Sequence, residues 1–285
     1  MKAVIPAAGM GTRFLPATKS QPKEMLPVAD KPVIHHVVEE AVASGIEDIL
    51  IITGRGKRSI EDYFDKSFEL EYVLEKKGKT DYLDQIRQIS ELARIYYVRQ
   101  GEPKGLGDAI LCARHFIDNE PFAILLGDVI IKTEIPCMRQ LIDLYEEHRC
   151  SFLGIEKIES ENVQKYGIID GVPTGDRTYL VKDLIEKPNQ DEAPSDLATL
   201  GRYILTPEIF DCIEETPLGM GDEIQLTDAI RLLGRRQKVQ AFLVSGKRYD
   251  VGDFIGWLEA NVAFALQNRE FEEDVRKSLR KLLGS

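Results

Sequence analysis

The first half of the chain alternates short apolar runs with longer amphipathic stretches, and this alternation restricts the fold more than any other feature. Lys2–Ala7 (KAVIPA), Asp48–Thr53 (DILIIT), Ile95–Arg99 and Phe122–Leu126 (FAILL) are short and apolar, as strands buried on both faces are. Between them Pro32–Ser44, Ser59–Phe64, Asp81–Ala93 and Gly107–Phe116 carry helical spacing, and the residues between Phe64 and Asp81 read as charged connecting sequence. In the first of these helices Val33, Val37, Val38, Ala41 and Val42 form one stripe. Asp30 or Lys31 stands near its cap, Pro32 falls in its first turn and Gly45 closes it. Strand–helix alternation of this kind implies a mostly parallel sheet covered on both faces.

After about Cys150 the pattern changes. Ser151–Ile155, Gly167–Asp170, Tyr179–Ile185 and Ala198–Leu205 read as strands joined by turns, so antiparallel additions to the sheet are expected. Helices follow at Pro207–Glu214 and Glu223–Leu233, then a strand at Val239–Val244 and two terminal helical stretches, Phe254–Gln267 and Glu270–Leu283. No Pro/Ser/Gly-rich linker and no internal repeat divides the 285 residues. The expected fold is therefore a single α/β domain, 1–285. Its sheet is Rossmann-like, mixed but mostly parallel and flanked by helices, and the second half covers the open edge. The last stretch is acidic at its start (Glu270, Glu272, Glu273, Asp274) and basic at its end (Arg276, Lys277, Arg280, Lys281), which suits a helix dipole. Its apolar stripe would face either its own domain or another subunit.

Lys plus Arg is 37 against 48 for Asp plus Glu, a net charge of -11. A chain this acidic is poorly suited to nucleic acid or to an anionic membrane, and no apolar run approaches the ~18 residues of a membrane span. The four cysteines (Cys112, Cys137, Cys150, Cys212) form no C-x-x-C pair, so reduced thiols and a cytoplasmic location are expected. The histidines form no metal pattern, and no Ser-His-Asp or Cys-His constellation stands out.

The first strand runs into Ala8-Gly9-Met10-Gly11-Thr12-Arg13-Phe14, and two glycines after a buried strand suggest backbone approaching a phosphate. A dinucleotide fingerprint needs a small residue where Phe14 stands and an acid where Thr53-Gly54 ends the second strand, and there is no G-x-x-x-x-G-K-[ST] string. Arg13 and Lys23 put fixed cations beside the glycines, and prolines at 16, 22 and 27 stiffen the path. In an acidic protein long-range steering cannot help a polyanion bind, so clustered local cations are informative.

The stretch PAAGMGTRFLPATKSQPKEMLPVADKP resembles the signature of the sugar-1-phosphate nucleotidylyltransferases, most nearly the bacterial members that join UTP to glucose 1-phosphate. Later motifs follow the family's order: Gln100 and Gly105-Leu106-Gly107, Leu126-Gly127-Asp128, Tyr166-Gly167, Glu186-Lys187-Pro188, Gly201-Arg202-Tyr203 and Asp250-Val251-Gly252. The resemblance implies that Ala7, Ala8, Gly9, Gly11, Thr12, Glu24, Gln100 and Gly105 bind the nucleotide, with Gln100 reading the base edge through a donor and an acceptor. It implies that Arg13 holds the triphosphate and that Lys23 acts on the α-phosphate during transfer. Gly167, Glu186, Lys187 and Gly201 would hold the sugar phosphate, and Asp128 with Asp250 would hold Mg²⁺. Asp253 reads as a helix cap, and Glu223–Asp228, which also matches a family segment, as a largely structural helix start bordering the sugar. Two positions depart from the family pattern: Asp108 stands in place of histidine, and Gly127 in place of Pro or Ala.

On this reading 1–150 is a nucleotide-binding half, 151–253 a sugar-binding half and 254–285 a pair of C-terminal helices, and the assembly is a homodimer or homotetramer. The implied reaction is UTP plus α-D-glucose 1-phosphate giving UDP-glucose and pyrophosphate. A thymidylyltransferase making dTDP-glucose shares nearly all of these motifs. A non-catalytic nucleotide-sugar sensor is the rival from another class, and a nicotinamide-dependent oxidoreductase is disfavoured by Phe14.

Overall fold

A computed structural model of the chain describes residues 1–268 and 270–284. Its centre is a nine-stranded sheet. Across its width the strands run Arg94–Arg99, Asp48–Thr53, Lys2–Ala7, Phe122–Leu125, Leu197–Leu205, Ser151–Lys157, Val239–Leu243, Thr178–Glu186 and Gly167–Pro173. The first four are parallel. Val4, Leu50 and Ile124 pack on one face with Ile110 and Ile117, while Ala3, Ile5, Ile49 and Ile51 pack on the other with Ile34, Val37 and Val38. Successive side chains thus point to opposite faces, and because both faces are covered the strands read as continuous apolar runs.

The Leu197–Leu205 strand joins the two halves of the chain, antiparallel to Phe122–Leu125 on one side and to Ser151–Lys157 on the other. One pairing departs from the antiparallel expectation. Val239–Leu243 runs parallel to Ser151–Lys157, reached by a crossover through the Leu226–Arg236 helix. The register of Leu197–Leu205 slips between Thr199 and Tyr203, where Gly201 adopts φ +78°. A side chain there would be strained and would also meet Leu126 at 2.9 Å. This bulge accompanies a pairing of Ala198 with Ile168, which folds the far edge of the sheet back toward its middle.

Local elements differ from expectation in identifiable ways. Phe68–Lys76 is a helix rather than connecting sequence; its one buried residue is Glu71, which pairs with Arg87 of the neighbouring Thr80–Ser90 helix, so it carries no apolar stripe to read. The Val33–Ala43 helix is capped at Pro32 without a side-chain bond, because Pro27–Val28 and Lys31–Pro32 form a small hairpin that takes Asp30 and Lys31 out of the cap. Gly107–Phe116 divides into Leu106–Leu111 and Arg114–Ile117. Asp253 does cap its helix, accepting from the Gly256 amide at 2.9 Å. No residue of the Glu272–Leu283 helix is buried, and Leu282 and Leu283 are 82% and 80% exposed, so its stripe does not dock on its own sheet. The four cysteines are free thiols, and among the described residues no helix is long and apolar enough to cross a membrane.

Candidate active site

The carboxyl ends of parallel strands are where open α/β sheets bind ligands, and here Lys2–Ala7 and Phe122–Leu125 end side by side. The first continues through Ala8–Gly11 into three short 3₁₀ turns, Thr12–Phe14, Ala17–Lys19 and Lys23–Met25. The path is tied to itself: Thr18 Oγ1 donates to the Gly11 carbonyl at 2.7 Å, and the Phe14 amide donates to the same oxygen at 3.0 Å. These turns carry Lys23 to Asp128, with Nζ 2.5 Å from Oδ2.

The loop bearing Asp128 is braced from behind by Arg202, whose side chain is wholly buried. Its guanidinium donates to Glu40 at 2.7 Å and to the carbonyls of Val129 at 2.8 Å and Gly201 at 3.1 Å. Asp250 arrives by a second device. Lys247–Asp250 pairs antiparallel with Val129–Lys132, setting Asp250 opposite Val129, and the Val251 amide donates to the Asp128 carbonyl at 2.9 Å. A Cβ on Gly252 would lie 2.8 Å from Asp250 Oδ1, 3.3 Å from Asp128 Oδ2 and 3.7 Å from a terminal nitrogen of Arg13. Two carboxylates and a guanidinium therefore converge over one bare glycine. Two hard carboxylate oxygens in an open, partly solvated place suit Mg²⁺, which takes one or two protein carboxylates and keeps several waters; among the described residues no cluster of three or more ligating side chains competes.

Burial alone would push the Lys23 ammonium down, but the charges of Asp128 and Glu24 outweigh it and its pKa lies above the ordinary lysine value. Burial would likewise raise Asp128, yet Lys23 outweighs it and holds the carboxyl below its usual range. The pair is thus ionised at neutral pH. Glu24 is buried, pushed up by desolvation against the pull of Lys57, whose Nζ lies 2.6 Å away.

Two cavities meet at this junction. The first, about 410 Å³, is lined by Ala8, Gly9, Gly11, Thr12, Lys23, Glu24, Gln100, Gly105 and Asp128. The second, about 260 Å³, is lined by Arg13, Gly167, Glu186, Lys187, Gly201, Asp128 and Asp250. Asp128, Leu106, Leu126 and Glu223 belong to both walls. In the second cavity Glu186 accepts from Thr227 Oγ1 at 2.6 Å and lies 3.2 Å from its neighbour Lys187 Nζ.

Residues 2–267 match the nucleotidyl transferase family model. A Bacillus subtilis (strain 168) protein named UTP–glucose-1-phosphate uridylyltransferase is 54% identical over 283 residues, which cover 99% of this chain and 97% of that protein. The chain belongs to the UTP–glucose-1-phosphate uridylyltransferase family. Among solved structures, a UTP-bound UGPase from Acinetobacter baumannii superposes with a TM-score of 0.92 at 40% identity, covering 99% of each chain. A UDP-glucose pyrophosphorylase complexed with UDP-glucose superposes with a TM-score of 0.87 at 46% identity, covering 94% of this chain and 99% of that one.

Within this uridylyltransferase cleft, three placements bear on the expected roles. Ala7 is buried in the core on the face opposite Val4 and does not line either cavity, because alternate strand residues point away from the cleft. Arg13 lines the second cavity, beside the place where Asp128 and Asp250 converge. Gln100 directs its amide nitrogen to Asp108 at 2.7 Å and to the Gly105 carbonyl at 3.2 Å, which leaves its oxygen as the group not engaged by these two neighbours.

Further groups join the two walls. Glu223 borders both cavities, Thr227 holds Glu186, and Arg248 lies 3.7 Å from the Tyr166 ring centre while pairing with Glu156 at 2.5 Å. Glu223 and Thr227 belong to the Glu223–Asp228 segment read from the sequence as a helix start, whereas Arg248 has no signal beyond standing two residues before Asp250.

Proposed function

We propose that this chain transfers the uridylyl group of UTP to α-D-glucose 1-phosphate, giving UDP-glucose and releasing pyrophosphate. The observation that carries the reading is the Lys23–Asp128 pair: Lys23 lines the glycine-lined cavity, and Asp128, its partner, stands in the wall which that cavity shares with the Glu186–Lys187 cavity. The nucleoside occupies the first cavity with its base at Gln100 and Gly105, and its phosphates pass the Gly9 and Gly11 amides. The hexose occupies the second, with hydroxyls toward Glu186 and Gly167 beneath Gly201, and its phosphate toward Lys187.

The nucleophile is a phosphate oxygen of the sugar phosphate, already anionic near neutral pH. It attacks the α-phosphorus in line, the bond from that phosphorus to the bridging oxygen breaks, and the electron pair leaves with pyrophosphate. No proton has to be removed and no covalent protein intermediate forms. The protein's work is to align two anions that repel each other and to offset their charge. Lys23 does this at the α-phosphate, and Arg13 does it on the sugar-phosphate side. Asp128 and Asp250 would hold Mg²⁺, which when bound neutralises phosphate charge.

The test is to mix UTP, glucose 1-phosphate and Mg²⁺ with the protein and follow pyrophosphate and UDP-glucose, with dTTP in parallel. Equimolar appearance of both products from UTP is expected. Turnover of dTTP alone would make the protein a thymidylyltransferase, and UTP binding without release would make it a sensor. The same reading places the protein in the cytoplasm, where its nucleotide substrate is made, as a homodimer or homotetramer.

A further inference from the structure

Gln100 follows the Arg94–Arg99 strand, is 6% exposed and borders the first cavity. Its backbone amide donates to the Thr53 carbonyl at 2.9 Å, which fixes where the side chain starts. The side chain ends between Asp108 Oδ2 at 2.7 Å and the Gly105 carbonyl at 3.2 Å. An ionised carboxylate and a carbonyl can only accept hydrogen bonds. A carboxamide between two acceptors has one acceptable orientation, with its NH₂ toward them, because the flipped form would set oxygen lone pairs against oxygen lone pairs. This assignment follows from the identity of the neighbours. Both amide hydrogens are thereby committed, and among the described residues no group donates to Oε1.

We propose that Asp108 is a positioning residue for base selection. By holding the Gln100 nitrogen inward, it makes the amide oxygen the group offered to the base. An acceptor at that place matches the N3–H of uracil and opposes the N3 lone pair of cytosine. Asp108 lines neither the glycine-lined nor the sugar-phosphate cavity, so it acts through Gln100 and not on the nucleotide. The inference rests on the uridylyl-transfer reading and adds to it the origin of pyrimidine discrimination. A site with a committed buried acceptor facing N3 rejects a base that cannot donate from N3 more strongly than a site relying on shape alone.

The experiment compares kcat/KM for UTP and for CTP, with glucose 1-phosphate and Mg²⁺, in the wild type, Asp108→Asn and Asp108→Glu. Asn is isosteric but can present its own NH₂, so Gln100 becomes free to turn over. The UTP-over-CTP ratio should fall by about tenfold or more, the loss of one oriented hydrogen bond, with most of the change in the KM for UTP. Asp108→Glu, which keeps the carboxylate, should retain more of the ratio. In a Gln100→Ala background the Asn substitution should change the ratio no further. Asp108→Ser, whose hydroxyl also donates, should lower the ratio in the same way and replaces the Asn variant if that does not fold. An unchanged ratio in both Asn and Ser variants, or a full effect without Gln100, would overturn the proposal and leave Asp108 as a first-turn acid of its helix. Wild-type protein that transfers neither nucleotide would overturn the uridylyl reading instead.

Discussion

Half of the wall of the first cavity comes from one stretch of chain, Pro6 to Glu24, whereas the second collects Arg13, Gly167, Glu186–Lys187, Gly201, Thr227, Arg248 and Asp250 from across the sequence. The first is made of turns that fix themselves by local hydrogen bonds. The second is made of strand ends, and it exists because the sheet folds back at Gly201 and because Lys247–Asp250 pairs beside Asp128. A site of the first kind should lose single contacts when single residues change. A site of the second kind should depend also on the framework that brings its pieces together.

Arg202 is the sharpest place to break this contrast, because it braces the shared wall. Arg202→Leu leaves Glu40 buried without its partner, and removal of one member of a buried pair costs about 3–5 kcal/mol. Urea unfolding should show a loss of that size. A loss below about 1 kcal/mol would mean that the loop bearing Asp128 is held by other means.

Glu186→Ala sharpens the division of labour. It should raise the KM for glucose 1-phosphate about tenfold or more while the KM for UTP moves by about twofold or less, as expected for loss of ground-state binding on one side only. Steady-state kinetics with each substrate varied in turn decides it, and equal changes in both values would erase the boundary between the cavities.

The smallest effect lies outside both cavities. Burial would raise Glu39, but bonds from His35 and Lys31 outweigh it and hold its carboxyl at about 2, below the ordinary glutamate value of 4.5. The folded value is the lower one, so its contribution to stability is complete above pH 4.5 and is lost as pH falls from about 4.5 toward 2. Glu39→Gln should flatten this part of a plot of Tm against pH. Because the side chain is 38% exposed, the change should correspond to less than about 1 kcal/mol. An unaltered acid limb would remove Glu39 from the account.

The same contrast explains what could be read from the residues alone. The parallel half of the sheet follows from the apolar runs at Lys2–Ala7, Asp48–Thr53 and Phe122–Leu125, whose burial on both faces leaves a plain signature. The glycine loop with Arg13 and Lys23 is contiguous, and so it is legible from sequence as a candidate phosphate site. Asp128 and Asp250 carried motifs, but nothing local says that they share one glycine; that follows from a two-stranded pairing between distant segments. Arg202 and Glu40 look like surface charges until topology buries them together. Gln100 illustrates the limit at finer grain: its type announces base recognition, while the direction of its amide depends on Asp108 and Gly105, which fold beside it.

The central claim is that reactants from the two cavities meet at Lys23, and the most direct measurement is single-turnover formation of UDP-glucose by Lys23→Ala with both substrates saturating. The account predicts a rate lower by about a hundredfold to a thousandfold, the size seen when a positioned charge stabiliser is removed, with the KM for glucose 1-phosphate changed only a few-fold. Turnover close to that of the unaltered protein would contradict it.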